Sequence, residues 1–343
     1  MRASSLSRPN YMPMIKWRRW EQLAIEQMDP AIKLRVCPCF EVMGSREHNN
    51  FIAKFEKSWN APALVDYSDP EGKLSKERQL EYTVFLIAAA TQKLPVTPVL
   101  SIETACSATA PFLKHIRNLG SVALRIRPKD LTLTDELISQ TSTSIKKIST
   151  LNIKVKIILD IGATPKIWSS SDISTFCQQV KKLSALGIVI YFVSGAFPGT
   201  IKHLKSGTRT IARRDWALWN AINCECNGLN IGFGDYGVAP PRQPKEEFPL
   251  RRLTRTTIRY TREYDWLIIS TNGRTIANSV ELSKTLVDDF RKHFRAGAYS
   301  YGDMLIQNRA DPYIRSEKKK GGHYHITEAW SHHIALVVRE QYS

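Results

Sequence analysis

Several short apolar, β-branched segments of this sequence end in an acidic side chain or an arginine. In proteins built from parallel strands, the carboxyl ends of the strands carry the chemistry, so these residues are the first candidates for a functional site. Carboxylates act as general bases or bind hard cations, and guanidinium groups bind phosphate or carboxylate through paired hydrogen bonds. In chain order the candidates are Glu41, Asp66, Glu103, Arg125, Arg127, Asp160, Asp235 and Arg259.

Arg125 and Arg127 are two residues apart within one predicted strand, so both side chains share a face of that strand. Two guanidinium groups held side by side need anions nearby. Those anions could be Glu103 and Asp160, which would make a closed salt-bridge network. They could equally be a bound phosphate or carboxylate, which would make a binding site. The residues alone leave both interpretations open.

The acidic candidates also allow a divalent metal, because Mg²⁺ and Mn²⁺ prefer oxygen ligands and leave room for phosphate. No Asp-x-Asp, His-x-Asp or His-x-His motif stands at an early strand end to support this alternative. The carboxylates concerned are Glu41, Asp66, Glu103, Asp160 and Asp235.

Residues 232–237 read Gly-Phe-Gly-Asp-Tyr-Gly at the end of another predicted strand. The glycines would let the backbone approach a ligand closely, with Asp235 and Tyr236 at the rim of the site. A tight turn is the alternative. Because Pro240 and Pro241 block a following helix, the segment does not match a dinucleotide-binding fingerprint.

Four histidines lie near the end of the chain, at positions 323, 325, 332 and 333. An imidazole titrates near neutral pH, so His332 or His333 could act as a general acid or base. Adjacent histidines cannot share a face, so a common zinc site would need a favourable fold. Polar contacts that cap the domain are the alternative.

The apolar segments alternate with stretches of helical periodicity, a pattern typical of parallel strands joined by crossover helices. Eight such strands without a Gly-rich dinucleotide motif predict an α/β fold, a closed (β/α)₈ TIM-like barrel, rather than an open sheet. The predicted strands are 34–42, 61–66, 96–103, 122–128, 155–160, 189–194, 229–235 and 258–270.

The end of the chain does not continue this repeat. A predicted hairpin turn at 262–265 divides the last strand region, which allows one limb to leave the barrel. After a helix around 280–294, residues 296–343 are rich in Gly, Tyr and His. We therefore expect a barrel domain over 1–295 and an irregular segment over 296–343 that packs on the barrel.

The composition is strongly basic, with 49 Lys and Arg against 32 Asp and Glu, a net charge of +17. This balance favours polyanionic partners such as nucleic acid or nucleotides. No apolar run approaches the length of a membrane helix, and the first residues lack the apolar core of a secretory signal. Six cysteines are too few for a disulfide scaffold. We expect a cytoplasmic protein in a reducing compartment, with no membrane partner.

Two Cys-x-Cys pairs, at 37 and 39 and at 224 and 226, leave a four-thiolate zinc site as a weaker alternative. The first pair falls inside an apparent strand, where such sites rarely begin.

Short phrases spread from one end of the chain to the other, taken in order, resemble the bacteriophage "beta protein" family. They are Tyr-Met-Pro-Met-Ile-Lys from Tyr11, Cys-Pro-Cys-Phe-Glu-Val from Cys37, Arg-Ile-Arg from Arg125, Gly-Asp-Tyr from Gly234, Ile-Arg-Tyr from Ile258, Ser-Tyr-Gly-Asp from Ser300 and Trp-Ser-His-His from Trp330.

The resemblance implies a barrel-like protein carried by phages, prophages or mobile elements, without an assigned activity. It also implies a setting of phage conflict or antiviral defence, with a nuclease-like partner protein. Trp330 stands directly before Ser-His-His, without the longer spacer expected, which weakens the transfer of a role to the histidines. The motif positions are Glu41, Arg125, Arg127, Asp235, Tyr236, Arg259, Tyr260, Asp303, His332 and His333.

Two hypotheses follow. In the first, the protein is a hydrolase of phosphoesters: Glu41, Asp160 and Asp235 hold a divalent ion or act as bases, and His332 or His333 protonates the leaving group. In the second, it is a non-catalytic adaptor whose basic outer helices bind nucleic acid or a nuclease partner, while the charges at the barrel mouth pair with one another. The residues expected at the substrate or anion site are Arg125, Arg127, Tyr236, Arg259, Tyr260 and Asp303.

Overall fold

A computed structural model describes residues 9–69, 71–129, 131–199, 206–241 and 255–342. The chain forms two compact units. The first unit contains Met1–Trp17, Val36–Gly195 and Arg214–Tyr236. The second contains Arg18–Arg35, Ala196–Arg213 and Gly237–Ser343. This division does not coincide with the predicted boundary at residue 295.

The strands are β1 (Met12–Lys16), β2 (Cys39–Glu41), β3 (Ala63–Asp66), β4 (Val96–Ser101), β5 (Ser121–Ile126), β6 (Lys154–Ala163), β7 (Val189–Gly195), β8 (Gly207–Ala212), β9 (Gly232–Asp235), β10 (Arg255–Thr261) and β11 (Asp265–Asn272).

The helices are α1 (Arg19–Glu26), α2 (Pro30–Lys33), α3 (Ser45–Ser58), α4 (Lys76–Thr91), α5 (Ile102–Ser107), α6 (Ala110–Leu119), α7 (Asp135–Ser149), α8 (Ser170–Ser184), α9 (Arg214–Glu225), α10 (Ile276–Lys284), α11 (Tyr301–Ala310) and α12 (His325–Leu336). Short 3₁₀ turns cover Ser316–Lys318 and Gly322–Tyr324, and π-helical turns cover Thr285–Asp289 and Val337–Gln341.

The first unit is a closed parallel barrel of eight strands, in the order β1 to β7 and then β9, with β9 pairing back onto β1. Helices separate most of the strands, as parallel pairing requires. The strands are buried along most of their length, as expected for a sheet covered on both faces. The predicted (β/α)₈ fold class is confirmed.

One barrel strand was nevertheless assigned wrongly. The structure uses Met12–Lys16, whose Met14 pairs with Cys39, and not the predicted strand at 258–270. Met12–Lys16 is short and contains a proline, so its sequence carries a weak strand signal. The region 258–270 is extended, but a short turn folds its two halves into an antiparallel pair. A strand of a parallel barrel must instead be reached through a long crossover connection.

That region is the β10–β11 hairpin of the second unit, which forms a three-stranded antiparallel sheet in the order β10, β11, β8. The predicted turn is confirmed: the backbone N–H of Arg262 donates to the carbonyl of Asp265 at 2.7 Å. Apolar residues on one face of this sheet, among them Ile258 and Leu267, pack with Leu282 of α10 and Ile306 of α11. This cluster is the core of the second unit.

Glycine makes room inside the barrel on β9. A Cβ atom on Gly232 would overlap the ring of Tyr191, and one on Gly234 would lie 2.7 Å from Cγ2 of Val193. Tyr191 and Val193 belong to the apolar cluster that fills the barrel. These two glycines, whose pattern suggested close approach of a ligand, are therefore required by core packing.

The cysteines do not assemble a zinc site. Cys37 and Cys39 belong to the apolar cluster inside the barrel. Cys226 forms a disulfide with Cys177 of α8, and Cys224 is an exposed thiol. The disulfide departs from the expectation of a fully reduced chain.

Candidate functional site

Arg125 occupies the centre of the barrel at the carboxyl ends of the strands. Its Nε and Nη1 donate hydrogen bonds to Oδ2 of Asp160 at 2.9 Å and to Oδ2 of Asp66 at 2.6 Å. Its Nη2 lies 3.0 Å from Oε1 of Glu41, 2.7 Å from Oδ2 of Asp160 and 2.6 Å from the hydroxyl oxygen of Tyr236. We call these five residues the Arg125 cluster.

The carboxylates of the cluster are also bonded to the backbone. Oδ1 of Asp66 accepts the N–H of Ser68 at 2.7 Å, and Oδ1 of Asp160 accepts the N–H of Gly162 at 2.9 Å. The Arg125 side chain is only 4% exposed. A buried guanidinium with this many protein acceptors is fully compensated without a ligand. Of the two interpretations left open by the sequence, the geometry supports the closed network.

The directions of the pKa shifts indicate that Arg125 and Asp160 keep their charges. Burial works against the charged form of Arg125, but Tyr236, Asp160, Asp66 and Glu41 together raise its pKa well above the usual value. Burial alone would raise the pKa of Asp160, yet Arg125 and Arg127 bring it below the usual value. Burial raises the pKa of Tyr236, whose hydroxyl donates to Asp160 at 2.8 Å. A good general base has a pKa near the working pH, so Asp160 is poorly suited to that role.

Arg127 lies at the edge of the cluster and is less tightly paired. Its Nη2 is 3.7 Å from Oδ2 of Asp66 and its Nε is 4.0 Å from Oδ2 of Asp160. Its side chain is 16% exposed. Gly72, in the loop after β3, has φ +87°, and a Cβ atom there would overlap the guanidinium. This loop therefore covers Arg127, and only glycine fits at the point of approach.

The acids of the Arg125 cluster compensate the guanidinium groups beside them. Three carboxylates, those of Glu41, Asp66 and Asp160, form ion pairs with Arg125 or Arg127, and Lys16 is buried and lies beside Glu41 in the strand register. The carboxylates do not fit Mg²⁺ or Mn²⁺, because the oxygens that such an ion needs are bonded to Arg125 and to the backbone. Among the described residues, no group of three or more His, Cys, Asp or Glu side chains is arranged to hold a metal ion.

Two of the predicted strand-end acids lie elsewhere. Asp235 is buried but accepts a hydrogen bond from the hydroxyl of Tyr11 at 2.6 Å. Glu103 is exposed in the first turn of α5. Asp66, by contrast, is central to the cluster; the sequence marked it as a strand-end carboxylate and possible metal ligand but gave it no catalytic or anion-binding role. Its position as the last residue of β3 was the signal that could have placed it there.

Tyr260, Asp303 and His332 form a second buried cluster, in the second unit. The Tyr260 hydroxyl donates to Oδ1 of Asp303 at 2.9 Å, and Nδ1 of His332 lies 2.9 Å from Oδ2 of the same residue. Nε2 of His332 lies 2.8 Å from the carbonyl oxygen of Thr261. Both ring nitrogens are thus bonded within the protein. The imidazole has no free nitrogen with which to exchange a proton with a substrate.

His333 and Arg259 complete the group of motif residues in this unit. Nδ1 of His333 lies 3.1 Å from the Thr261 hydroxyl, and the ring is fully buried. Arg259 donates to the carbonyl of Val238 at 2.9 Å and stands over the ring of Phe197. Burial lowers the pKa of Arg259. The structure therefore divides the predicted site residues between the two units.

Four exposed cations stand where the chain enters the neighbouring strands β4, β5, β6 and β7. We call Lys93, Arg117, Lys154 and Lys181 the amino-end cations. Lys93 precedes β4 by three residues, and Lys154 begins β6. Arg117 lies in the last turn of α6 before β5, and Lys181 in the last turn of α8 before β7. None forms an ion pair with another residue in the part of the chain that the structure describes. The adjacent Lys182, by contrast, is paired with Asp135 at 2.9 Å.

The connections that lead into these strands contain no acidic residue, namely 91–95, 117–120, 150–153 and 185–188. The segments that leave the carboxyl ends of β3 to β6 carry both signs, with Glu71, Lys73, Lys76, Glu77, Glu103, Lys129 and Lys166. Basic residues in a last helical turn compensate the helix dipole, but that dipole amounts to about half a charge. A surplus of positive potential therefore remains at the strand entrances.

The closed parallel barrel with its buried charge cluster defines this protein as a (β/α)₈-barrel protein. The sequence profile of the Beta protein family matches residues 11–339, and the chain belongs to that family. The resemblance drawn from the short motifs is thereby confirmed. No curated protein matches the sequence.

Several solved structures of enzymes are similar to this chain at low sequence identity. A trimodular GH5_4 endoglucanase is 10% identical with a TM-score of 0.43, covering 67% of this chain and 56% of its own. Deoxyribose phosphate aldolase from Aeropyrum pernix is 12% identical, with a TM-score of 0.35 and coverage of 62% and 80%. Dihydropteroate synthase from Xanthomonas albilineans is 14% identical, with a TM-score of 0.37 and coverage of 68% and 90%.

This chain thus spans little more than half of the endoglucanase.

Among the described residues, none of the helices combines the length and the apolar character needed to cross a membrane.

Proposed function

We propose that this protein binds nucleic acid through the amino-end cations, and that the Arg125 cluster stabilises the barrel instead of catalysing a reaction. The observation that carries the proposal is the arrangement of the amino-end cations: they are exposed and unpaired among the described residues, and the connections into their four neighbouring strands contain no acid, whereas Arg125 is saturated by protein acceptors. Binding to phosphates needs cations that are free to release their counterions.

The placement of these cations suits a polyanion. Strands β4 to β7 are neighbours in the barrel, and adjacent strands lie about 4.8 Å apart. Their entrances therefore form a continuous arc, with one cation contributed at each strand. Phosphates along one strand of duplex DNA are spaced about 3.4 Å apart along the axis, so a short stretch of backbone spans the arc. The net charge of +17 steers a polyanion toward the protein.

The cellular setting is part of the same proposal. The family resemblance motivates viral nucleic acid as the first substrate to test, in the cytoplasm, with a nuclease-like protein as partner. In that arrangement the barrel supplies binding and the partner supplies cleavage.

The experiment compares two variants of equal charge at opposite ends of the barrel. The first replaces Lys93, Arg117, Lys154 and Lys181 with glutamine. The matched control replaces Lys73, Lys76, Lys129 and Lys166, which follow the carboxyl ends of β3, β5 and β6 and are equally exposed. Fluorescence anisotropy with labelled RNA, single-stranded DNA and duplex DNA of equal length gives the dissociation constants over a range of salt concentrations.

We expect the amino-end variant to lose affinity on the order of 10- to 100-fold, and the control variant to change less than about twofold. Equal losses in both variants would show that only the net charge matters, and the arc would then have no special role. An affinity that does not depend on salt would exclude phosphate contacts altogether.

A second candidate function is phosphoester hydrolysis at the barrel mouth, and Arg127 is the observation that favours it. Arg127 is the less completely paired arginine at that end, and it is partly exposed. It could contact a phosphate that displaces the loop around Gly72. Mass spectrometry on nucleotides, RNA and DNA, with and without Mg²⁺ or Mn²⁺, tests this function. Product that disappears in a folded Arg127→Ala variant would establish catalysis and overturn the structural role of the cluster.

A further inference from the structure

The second unit carries an open groove of about 700 Å³ that the proposed function does not use. One wall is a face of α10 that presents Ile276, Val280 and Lys284, at spacings of four residues. The other wall is the chain around Ile314 and Arg315, directly after α11. The groove therefore lies between a helix and the segment that follows the next helix along the chain.

The floor of the groove is apolar and accessible. Ile276 is 47% exposed, and Ala277, Val280, Pro312 and Ile314 continue the apolar lining. Isolated exposed apolar residues are normal on protein surfaces, but a contiguous set along a groove is typical of an interaction site.

The rim of the groove is basic. Lys284 projects from α10, and Arg315 from the opposite wall; both are exposed, and neither forms an ion pair with a described residue. Lys319 donates to the carbonyl of Asp311 at 2.7 Å, so it is already held by the protein. Glu281 is the one acid among the lining residues. The occupant of this groove should carry negative charge beside its apolar surface.

The shape of the groove decides between a small molecule and a protein segment. A small-molecule site buries most of its ligand, and this groove is too open to do so because most of its lining residues are exposed. A segment of a partner protein can lie along the groove and cover the apolar floor with one face. Helices bound in grooves do this with apolar residues at spacings of three and four.

We infer that this groove binds an acidic, amphipathic segment of a partner protein, with its apolar side chains against Ile276 and Val280 and its carboxylates beside Lys284 and Arg315. The inference is independent of the nucleic-acid site, because the groove belongs to the second unit and shares no residue with the amino-end cations.

The probe is a fluorescein-labelled synthetic peptide of about four helical turns, with leucine on one face and glutamate on the other. Two control peptides replace the leucines with serine or the glutamates with lysine. The full-length protein is titrated into each peptide, and binding is followed by fluorescence anisotropy at physiological salt.

Two protein variants of equal charge change locate the site. Lys284→Glu combined with Arg315→Glu reverses the rim, and Arg291→Glu combined with Lys292→Glu makes the same change at exposed positions outside the groove. Ile276→Ser tests the floor without changing charge. Thermal unfolding confirms that each variant is folded before binding is compared.

We expect the acidic amphipathic peptide to bind the wild type, and the rim variant and Ile276→Ser each to weaken binding at least about tenfold, as for truncated interface anchors. The Arg291/Lys292 variant should bind normally, and both control peptides should bind weakly. Equal binding of the serine peptide, or equal weakening by the two charge-reversed variants, would reduce the interaction to nonspecific attraction and overturn the inference. A self-association of the wild type that Ile276→Ser abolishes would do the same, by assigning the groove to a second copy of the chain.

Discussion

The buried cluster at the carboxyl end of the barrel and the cations at its amino end handle charge in opposite ways. At the carboxyl end, Arg125 is enclosed by three carboxylates and a tyrosine hydroxyl and is nearly inaccessible. At the amino end, Lys93, Arg117, Lys154 and Lys181 are exposed and have no ion-pair partner among the described residues. One set of charges is fixed by its neighbours, and the other is available to an external partner.

This difference teaches that the charge of a residue does not by itself mark a binding site. Desolvating a charge costs several kcal/mol, so a buried arginine must be matched by acids whether or not it binds a ligand. Surface cations are hydrated at little cost and lose only counterions when they meet a phosphate. Four predictions test this contrast, in order of decreasing effect.

Arg125→Met should destabilise the protein most. The substitution leaves Glu41, Asp66 and Asp160 without their cation inside the barrel, and breaking a buried network in this way costs about 3–5 kcal/mol. Urea unfolding followed by tryptophan fluorescence measures the loss. Nucleic-acid affinity of the folded fraction should be unchanged. A loss below about 1 kcal/mol would contradict the structural role of the cluster.

Gly72→Ala should cost about 1–2 kcal/mol, because alanine is strained at the positive φ of this position and its Cβ overlaps the guanidinium of Arg127. Thermal unfolding of the single variant and of Gly72→Ala combined with Arg127→Ala separates the two causes. The combined variant should regain the stability that the single variant loses through overlap with Arg127. It should still lose the stability that the strained backbone costs. Strictly additive losses would show that the loop does not rest on Arg127.

Acid should reduce the stability that the Arg125 cluster contributes at the carboxyl end of the barrel. The pKa of Asp160 in the folded protein lies below its unfolded value of 3.8, so its contribution to stability is complete above pH 3.8. That contribution is lost as the pH falls through the folded pKa. Unfolding midpoints measured from pH 6 to pH 2 should therefore fall less steeply for Asp160→Asn than for the wild type. The amino-end variant should follow the wild-type profile, since lysine and arginine do not titrate there.

Single substitutions at the amino end should have the smallest effect. Replacing Lys154 alone with glutamine removes at most one phosphate contact. The negative slope of log K against log salt should therefore become shallower by about 0.9. Anisotropy titrations at several salt concentrations give this slope. The same substitution at Lys166 should leave it unchanged. A change of slope at Lys166 as large as that at Lys154 would remove the distinction between the two ends.

Much of the fold could be predicted from the chain alone. The alternation of β-branched segments with helical periodicity identified β2 to β7 and β9, and hence a parallel barrel, because local periodicity reports which faces are buried. The shared face of Arg125 and Arg127 followed from the two-residue period of a strand. The turn between β10 and β11 was also predicted correctly.

The closure of the barrel could not be predicted in this way. Met12–Lys16 completes it through pairing with both β2 and β9, contacts that lie far apart in sequence and leave little trace in a short segment with a proline. The region 258–270 has a stronger strand pattern but pairs with β8 in the second unit. Strand propensity does not specify the partner strand.

The sequence by itself determined which residues carry charge, which segments are extended and that Arg125 must meet anions. Only the tertiary structure decided which anions those are, because Glu41, Asp66 and Asp160 come from three strands whose ends converge through barrel closure. It also assigned Tyr260, Asp303 and His332 to a separate cluster. Side-chain pairing depends on distances between remote segments, and those distances are set when the strands close and the cores pack.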